Sequence, residues 1–266
     1  MKYKAIDLEI NDASQLRVRV GHQKCQWILS NQQGRLIRAE TLLTTQRPDW
    51  FDQLDDINSM EVTVLCPIFG QTWIPEVLYD VVSLSDFSNF VEGPEAATLQ
   101  VATVDSIQSK SLYRQDLYPY TLVKMGGSSP KMSSALHNYV QAFAGQGEVG
   151  KIWLLDIFDD QFLLVSLEDG KFLRHYMGTF ATPDDLLYAI LLWGQEMETN
   201  PKEIDLYLSG TVGKEDEYWQ MLQPVFKAID WTDGEKYADI FCAEPFANLP
   251  QYTALLVPQV YADHRR

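Results

Sequence analysis

The feature that most constrains the fold of this chain is an order of predicted elements that occurs twice. In each half, three strand patterns are followed by a helix start, a further strand and a second helix. Residues Val18–Thr41 align with Leu154–Met177 without a gap, and the turn glycines Gly34 and Gly170 coincide. A recurring order of this kind predicts two copies of one α/β unit. Two unrelated α/β units with ordinary hairpins are the alternative, because the aligned window contains few identical residues.

The strand patterns are clearest in the second half, where short turns separate three apolar runs. Asp169-Gly170 lies between two of these runs, and Asp-Gly in that setting is a strong hairpin signal. Thr182 is a favourable N-cap and Pro183 fits the first helical position, so a helix is predicted from there to about Thr199. The strands predicted in this half are Lys151–Phe158, Gln161–Glu168, Lys171–Met177 and Ile204–Leu208, and a last helix is predicted over Glu215–Ala228.

The first half gives the same kinds of pattern with more interruptions. In Leu16–Val20 apolar residues alternate with arginine, which is typical of a half-buried strand, and Pro48 suits the start of a short helix. The other predicted strands are Cys25–Ser30, Arg35–Leu43, Val62–Cys66, Thr98–Val104, Ser111–Tyr113 and Tyr118–Lys124, and the other predicted helices are Ile74–Val82 and Lys131–Ala144. We therefore predict an N-terminal half over residues 1–145, with an inserted segment at about 83–124, and a C-terminal half over residues 146–266.

The balance of charge argues against a nucleic-acid-binding protein. The chain has 21 Lys and Arg residues against 37 Asp and Glu, a formal net charge of −16, and a field of that sign repels phosphate backbones. One basic cluster lies between residues 14 and 47, where Glu40 is the only acidic residue. Two interpretations of this cluster are open, namely the solvated face of a β-hairpin or a docking patch for an acidic partner or a phosphate group. The candidate partner-binding residues are Arg17, Arg19, Arg35 and Arg38.

The cysteines and the N-terminal residues indicate a cytoplasmic protein. Cys25, Cys66 and Cys242 are far apart and lack the spacing of a zinc site, so we predict no metal and a reducing compartment. Residues 1–12 contain no continuous apolar segment of the signal-peptide kind. The longest apolar stretch, Leu186–Trp193, is much shorter than the roughly 20 residues of a membrane helix, so no membrane span is expected.

Four short motifs resemble the uncharacterised bacterial DUF3822 family, and the resemblance covers most of the chain. They are Ile74–Asp80, Phe180–Trp193, Leu206–Lys214 and Leu249–Tyr252. The resemblance implies the actin-like ATPase (ribonuclease H-like) fold, an α/β fold in which two related subdomains with mixed sheets lie around a cleft. The duplicated order of elements is also that of the actin, sugar kinase and Hsp70 superfamily. The family carries no established activity, so the resemblance implies a fold and not a function.

The implied fold binds nucleotide through a phosphate loop in each half, and neither loop is intact in this sequence. Such a loop places an Asp at the end of the first strand to hold Mg²⁺ or water, followed by Gly and hydroxyl residues that contact the phosphates. In the first half, Arg19 stands where the Asp is expected. In the second half, Asp156 is suitable, but Phe158 takes the Gly position and Asp159-Asp160 would repel a triphosphate.

A third element of such sites, a Gly-containing loop near adenosine, corresponds to Ser209–Gly213. A simple strand-to-helix turn explains the same glycines, and this is the favoured interpretation. The candidate nucleotide-binding residues are therefore Asp156, Gly210 and Gly213. The sequence contains no HExxH or GxSxG motif, and the Gly126-Gly127-Ser128 loop lacks the spacing and the strand-loop-helix context of a dinucleotide site, so we predict no catalytic residues, no metal and no cofactor.

Two hypotheses about function follow. The first is a non-catalytic, degenerate actin-like scaffold or protein-interaction module that binds an unknown protein partner. Its contacts would lie on the basic hairpin or in the inserted segment, where Phe87, Phe90 and Tyr113-Arg114 are candidates. The second hypothesis is a divergent nucleotide-binding ATPase or kinase-like enzyme that uses Asp156 and the Gly210 loop.

Overall fold

The computed structural model of the chain contains three β-sheets connected by short helices and turns. It describes residues 3–4, 10–54, 57–79, 86–87, 89–94, 98–123, 130–144, 150–213, 216–232 and 249–256. The strands are β1 Tyr3–Lys4, β2 Ala13–Val20, β3 Lys24–Asn31, β4 Leu36–Leu43, β5 Glu61–Leu65, β6 Ile68–Pro75, β7 Thr98–Val104, β8 Ser109–Gln115, β9 Lys131–Ser133, β10 Lys151–Phe158, β11 Gln161–Glu168, β12 Lys171–Thr179, β13 Asp205–Gly210 and β14 Ala228–Trp231. The helices are α1 Glu76–Tyr79, α2 Tyr118–Leu122, α3 Ala135–Phe143, α4 Pro183–Glu196 and α5 Glu217–Leu222.

The two larger sheets share one strand order. The N-terminal sheet has the order β1-β4-β3-β2-β5-β9, and the C-terminal sheet has the order β12-β11-β10-β13-β14. In both sheets three consecutive strands, β2–β4 or β10–β12, form antiparallel hairpins, and the later strands add in parallel beside the first of the three. In the N-terminal sheet, β1 pairs with the outer edge of β4. The mixed sheets follow the sequence-based expectation. The order of elements does so in the C-terminal half, whereas in the N-terminal half a 3-10 turn and β6 stand where helices were predicted. The internal duplication itself stays a prediction.

The strand registers correct the gapless alignment of the two halves. Counted from the first hairpin turn of each sheet, Val18 corresponds to Leu155, whereas the alignment predicts Leu154. The second hairpin turn is one residue longer in the N-terminal sheet, and this difference restores the predicted match of Gly34 with Gly170. The alignment is therefore off by one residue through β2 and β3 and correct at the following turn.

A small antiparallel sheet with the order β6-β8-β7 is inserted between β5 and β9. The strands predicted at Thr98–Val104 and Ser111–Tyr113 form β7 and the centre of β8. The small sheet also includes β6, which precedes the inserted segment predicted at about 83–124. β6 follows β5 of the N-terminal sheet after two residues, and β8 is followed by α2 before β9.

Two predicted elements differ in type from those of the structure. The strand predicted over Tyr118–Lys124 is wrong, because its first five residues form α2. Tyr120 and Val123 of this segment pack against the same apolar cluster, and a spacing of three residues suits a helix. The helix predicted over Ile74–Val82 is wrong at its start, because β6 extends through Pro75 and α1 is a single turn. The end of that prediction lies outside the described residues.

Three further predicted helices are shorter than expected. The N-terminal end of Lys131–Ala144 forms β9, and α3 begins after the N-cap Ser134, whose side chain accepts a hydrogen bond from the backbone of His137 at 3.1 Å. Of the helix predicted over Glu215–Ala228, only Glu217–Leu222 is helical and forms α5. Pro224 interrupts helical hydrogen bonding, and β14 begins at Ala228. The helix after Pro48 is one 3-10 turn over Phe51–Gln53.

Apolar clusters lie on both sides of each large sheet. The central cluster, between the two sheets, includes Ile28 of β3, Val140 of α3 and Leu163 of β11. An outer cluster covers the N-terminal sheet around Trp27, and another covers the C-terminal sheet beneath α4 and α5 around Trp153. Residues of α3 and of 252–256 share the central cluster with residues of both large sheets, and the hairpin turns of the two sheets meet beside it. Among the described helices, none combines the length and apolar composition of a membrane-spanning segment.

Candidate functional site

The turns of the β2–β3 and β10–β11 hairpins meet between the two large sheets. Each hairpin has a charged residue two positions before the residue that closes its turn, Arg19 before Gly21 and Asp156 before Phe158. The two charged residues thus hold corresponding places in the two sheets. These are the places at which the implied fold requires carboxylates.

Arg19 and Asp156 form a buried ion pair across the boundary between the halves. Nη1 of Arg19 donates a hydrogen bond to Oδ1 of Asp156 at 2.9 Å and also lies 2.9 Å from Oδ2. The side chains are only 10% and 2% exposed. The guanidinium lies over the ring of Phe158, 4.2 Å from its centroid, and this contact adds a cation–π attraction. Asp156 is therefore occupied by a cation of the protein itself and is not free to hold Mg²⁺.

Asp159 occupies the backbone donors of the first hairpin turn. Its Oδ2 accepts hydrogen bonds from the backbone N–H of Gln23 at 2.6 Å and of Lys24 at 3.4 Å. Gly21 allows this approach, because a Cβ there would lie 2.8 Å from the Phe158 ring and 2.9 Å from Oδ2 of Asp159. Backbone N–H groups in such a turn are the donors that a phosphate loop offers to phosphate. A carboxylate of the opposite half takes that place here.

His22 adds two contacts to the same junction. Its Nε2 lies 3.2 Å from Oδ2 of Asp116, which follows β8, and its Nδ1 lies 3.6 Å from Oδ1 of Asp160 in the opposite turn. Burial alone lowers the pKa of His22, but the hydrogen bond with Asp116 and the nearby Asp160 carboxylate outweigh it, so the pKa is raised above 6.5. Protonated His22 therefore connects the first hairpin both to the small sheet and to the C-terminal sheet.

Arg17 is buried beside this junction. It is 8% exposed, as is Arg19, and its Nη2 donates a hydrogen bond to the side chain of Gln15 at 2.9 Å. Burial lowers the pKa of Arg17 to about 10, and the Glu61 carboxylate offsets part of that effect. The interpretation of the basic cluster as a solvated hairpin face is therefore wrong for Arg17 and Arg19.

The other sequence-based candidates for partner contact divide between the surface and the interior. Arg35 is exposed and Arg38 is half-buried. In the small sheet, Phe90 is 74% exposed, whereas Tyr113 is 2% exposed and is part of the interior. Phe87 packs against the apolar cluster of that sheet. Arg114 is half-buried, and its guanidinium donates hydrogen bonds to the carbonyl oxygens of Val91 and Pro94. Arg35 and Phe90 are therefore the exposed candidates.

The structure brings Gly210 next to Asp156. Gly210 ends β13 with φ +88°, and a Cβ there would lie 2.0 Å from the carbonyl oxygen of Ile157 and 2.6 Å from Oδ1 of Asp156. The backbone of β13 therefore lies so close to β10 at this position that only glycine fits, whether or not a ligand binds. Gly213 lies farther along the loop, where its backbone N–H donates to Oδ2 of Asp216. The three candidate nucleotide-binding residues therefore already have partners within the protein.

Tyr139 of α3 fills the space on the inner side of the ion pair. Its hydroxyl lies 2.7 Å from Oγ of Ser209, the residue before Gly210, and the side chain is 1% exposed. Burial and the nearby Asp156 carboxylate raise the pKa of Tyr139 well above its usual value, so the phenol stays neutral. An aromatic ring thus occupies the interior between the ends of β10 and β13.

A cavity of about 430 Å³ adjoins the ion pair. Arg19, Asp156 and Asp116 contribute its charged groups. Most of the remaining lining is apolar, with Phe69 at the start of β6, Leu136 of α3, Phe158 of β10 and Met177 of β12 as its larger side chains. A lining of this kind suits an apolar group better than a polyphosphate, because its guanidinium is already paired.

The described residues offer no metal centre and no activated thiol. No three His, Cys, Asp or Glu side chains among them are grouped in a way that could hold a metal ion. Cys25 and Cys66 are buried, and burial raises the pKa of the Cys66 thiol to about 12. A thiol with such a pKa is a poor nucleophile at neutral pH. Cys242 lies outside the described residues.

Sequence reasoning identified the replaced residues but not their contacts with one another. Arg19 and Phe158 were expected to spoil a phosphate loop and Asp156 was expected to suit one, and the structure brings the three together. The contacts of His22 and Asp116 were missed, because Asp116 comes from the inserted sheet, far away in sequence. An available signal was the opposite charge of Arg19 and Asp156 at corresponding places in the two hairpins.

The sequence matches one family model. The model is that of DUF3822, a family described as proteins of unknown function, and it matches residues 5–229. No curated protein matches the chain significantly.

Solved structures establish the fold. A Bacteroides thetaiotaomicron protein with an actin-like ATPase fold and unknown function is similar over 95% of this chain and 98% of its own, with a TM-score of 0.67 and 14% sequence identity. A chain of the PilM-PilN type IV pilus biogenesis complex is similar over 94% of this chain and 99% of its own, with a TM-score of 0.55 and 12% identity. The fold is therefore the actin-like ATPase fold, with the two hairpin turns at the junction of its sheets.

Proposed function

This chain belongs to the DUF3822 family of proteins of unknown function, and we propose that it is a non-catalytic actin-like scaffold that binds a protein partner and no nucleotide. The observation that carries the proposal is the buried ion pair of Arg19 and Asp156, 2.9 Å apart, at the places where a nucleotide-binding relative requires carboxylates. A cation and an anion that neutralise each other leave no net charge to hold Mg²⁺.

Energetics support the loss of nucleotide binding. A metal ion at Asp156 would have to break a buried ion pair, and the loss of one partner of such a pair costs about 3–5 kcal/mol. A phosphate at the first turn would have to displace the Asp159 carboxylate from Gln23 and Lys24. If that carboxylate stayed within about 4 Å, repulsion would cost about 4 kcal/mol at an effective dielectric constant near 20. Each cost alone weakens binding by a factor of about a thousand.

Binding of a protein partner is supported by what the fold retains. The two large sheets and the inserted sheet are retained, although Arg19 and Phe158 stand where a phosphate loop needs Asp and Gly. A chain of similar fold occurs in the PilM-PilN type IV pilus biogenesis complex, which provides a precedent for this fold in an assembly. Large apolar side chains such as Phe90 and Tyr188 are 74% and 68% exposed, and exposed apolar groups often lie at protein interfaces.

The nucleotide part of the proposal is tested by thermal unfolding with Mg·ATP and Mg·GTP. We expect no change in Tm, whereas a ligand present at 100 times its Kd would add about 2.7 kcal/mol to the free energy of unfolding. A rise in Tm with Mg·ATP that is lost in Asp156→Asn would contradict the scaffold. That result would instead support a divergent nucleotide-dependent enzyme using Asp156 and the Gly210 loop.

The partner part of the proposal is tested by affinity capture followed by reconstitution. The full chain serves as bait in an extract of the source organism, and each captured protein is then purified and titrated against the chain. We expect at least one to bind directly, with a Kd that does not change when Mg·ATP is added. Failure of every purified candidate to bind would count against an interaction module.

A further inference from the structure

The edges of two strands lie beside the cavity. β6 is an edge strand of the small sheet and pairs with β8, and β12 is an edge strand of the C-terminal sheet and pairs with β11. In the part of the chain that the structure describes, neither β6 nor β12 is hydrogen-bonded to a strand on its other side. Free backbone N–H and C=O groups along such edges can pair with an added strand.

The two edges are joined at one end and line a cavity at the other. Nε1 of Trp73 in β6 donates a hydrogen bond to Nδ1 of His175 in β12 at 3.3 Å, and the Trp73 ring lies 5.2 Å from that of Phe172. At the other end, Phe69 of β6 and the last residues of β12, Met177–Thr179, line the cavity of about 430 Å³. β6 and β12 therefore run in opposite directions, and we call the space between them the β6–β12 groove.

The cavity at the open end of this groove suits an apolar side chain. Phe69, Phe158 and Met177 contribute apolar surface, and Phe69 is 41% exposed at the edge of the cavity. On β12, successive side chains point to opposite faces, so a strand paired with its edge would place every second side chain on the cavity side. An added strand therefore has a place for its backbone and a place for one apolar anchor.

The charge at the cavity favours a basic neighbour of that anchor. Asp116 lines the cavity, and Asp160 lies on the other side of His22, with side chains 17% and 42% exposed. Both carboxylates face one half-exposed imidazole, and the chain as a whole has a net charge of −16. A lysine or arginine of the added strand would complement these two carboxylates and the overall field.

We propose that the β6–β12 groove binds an extended segment of the partner protein. The segment pairs with the edge of β12, inserts one apolar residue into the cavity, and places a lysine or arginine beside Asp116 and Asp160. This inference rests on the proposed scaffold function and specifies the kind of partner segment that the scaffold binds.

The first experiment uses a phage-displayed library of random 12-residue peptides, selected on the full chain. We expect enriched peptides to contain an apolar residue next to lysine or arginine.

Synthetic versions of these peptides are titrated by fluorescence anisotropy against the wild type and against Met177→Trp, which fills the cavity. Binding is expected to weaken at least about tenfold in Met177→Trp, the loss of one buried contact worth about 1.4 kcal/mol. Leu173→Trp is the matched control, since Leu173 is on β12 but outside the cavity, and its Kd is expected to be unchanged.

A second experiment tests strand pairing directly. The best peptide is synthesised with N-methyl groups on alternate residues, in two versions that differ by one position. Only the N–H groups on one side of a strand can pair with β12, so one version is expected to lose binding and the other to keep it. Equal binding of the two versions would overturn pairing with the strand edge.

Other outcomes overturn the groove without affecting the scaffold proposal. Peptides or a purified partner that bind Met177→Trp as tightly as the wild type place the interaction elsewhere on the chain. If Met177→Trp does not fold, Thr179→Trp at the exposed end of β12 provides the same obstruction. A library selection that yields no binder also counts against the groove. Binding of Mg·ATP, in contrast, would contradict the scaffold function itself.

Discussion

Arg19 and Asp156 lie in the interior, where each charge depends on the other. Removal of one partner leaves a buried charge without compensation, which is far more costly than the loss of an exposed ion pair. We expect Arg19→Met to lower the free energy of unfolding by about 3–5 kcal/mol, as measured by urea denaturation. The double variant Arg19→Met/Asp156→Leu replaces both charges with apolar groups, and we expect it to recover most of that loss. A single variant as stable as the wild type would show that the pair does not form in solution.

The contacts of His22 predict a dependence of stability on pH. Its folded-state pKa is raised, so its stabilising contribution is fully present below the unfolded pKa of about 6.5 and is lost as pH rises through the folded pKa. We expect the difference in free energy of unfolding between the wild type and His22→Gln to shrink from about pH 5.5 to about pH 8.5. Asp116→Asn is expected to reduce this pH dependence, since it removes the hydrogen-bonded carboxylate. Parallel pH profiles of wild type and His22→Gln would contradict the assignment.

The residues of the candidate site could be predicted individually from the sequence, but their contacts could not. Arg19 and Phe158 were identifiable because strand and turn patterns are local and fix their places in the hairpins. The burial of Arg17 was not identifiable, because alternation of arginine with apolar residues is typical of a strand with one solvated face. The second face is covered here by contacts from other parts of the fold, and single-strand patterns do not contain that information.

At the end of β13, the backbone lies too close to the neighbouring strand β10 for a side chain to fit. Gly210 has φ +88° and lies against Ile157 of β10, whereas Gly150, which precedes β10, has φ +108° and nothing within 4 Å of a Cβ position. We expect Gly150→Ala to cost about 1–2 kcal/mol through backbone strain alone. Gly210→Ala adds a clash with backbone and is expected to cost at least about 2 kcal/mol more in urea denaturation. If the two variants lowered the free energy of unfolding equally, the backbone of Gly210 would not lie so close to Ile157 in solution.

Elements with strong local signals were predicted correctly, and those defined by distant contacts were not. The start of α4 follows from Thr182 and Asp185, whose side chains and backbone N–H groups form a reciprocal capping box. β10 and β11 follow from apolar runs and a short turn. By contrast, β6 and α2 depend on the inserted sheet and on the cluster around Trp27, which residues distant in sequence complete. Local propensity is overridden at such positions.

At the scale of the whole molecule, the contacts of the hairpin turns connect the two large sheets. Three contacts join the turn of the N-terminal hairpin to that of the C-terminal hairpin. They are the Arg19–Asp156 ion pair, the hydrogen bond from the Gln23 N–H to Asp159, and the approach of His22 to Asp160. A nucleotide that bridges two halves can control their separation, because it binds one arrangement more tightly than another. In this chain the bridging groups are permanent side chains. We therefore expect the junction to stay closed whether or not nucleotide is present.

Amide hydrogen exchange at Gln23 tests this closed junction in solution. Gln23 lies in an exposed turn, where a free amide exchanges rapidly, but its N–H donates to the Asp159 carboxylate at 2.6 Å. Hydrogen bonds to charged groups contribute about 1.5–3 kcal/mol, so Asp159→Ala is expected to speed exchange at Gln23 by about 10- to 100-fold. Asp160→Ala is the matched control, because Asp160 does not accept from this amide, and the rate at Gln23 should change little. Rapid exchange at Gln23 in the wild type would mean that the two turns separate in solution, and this would contradict the closed junction.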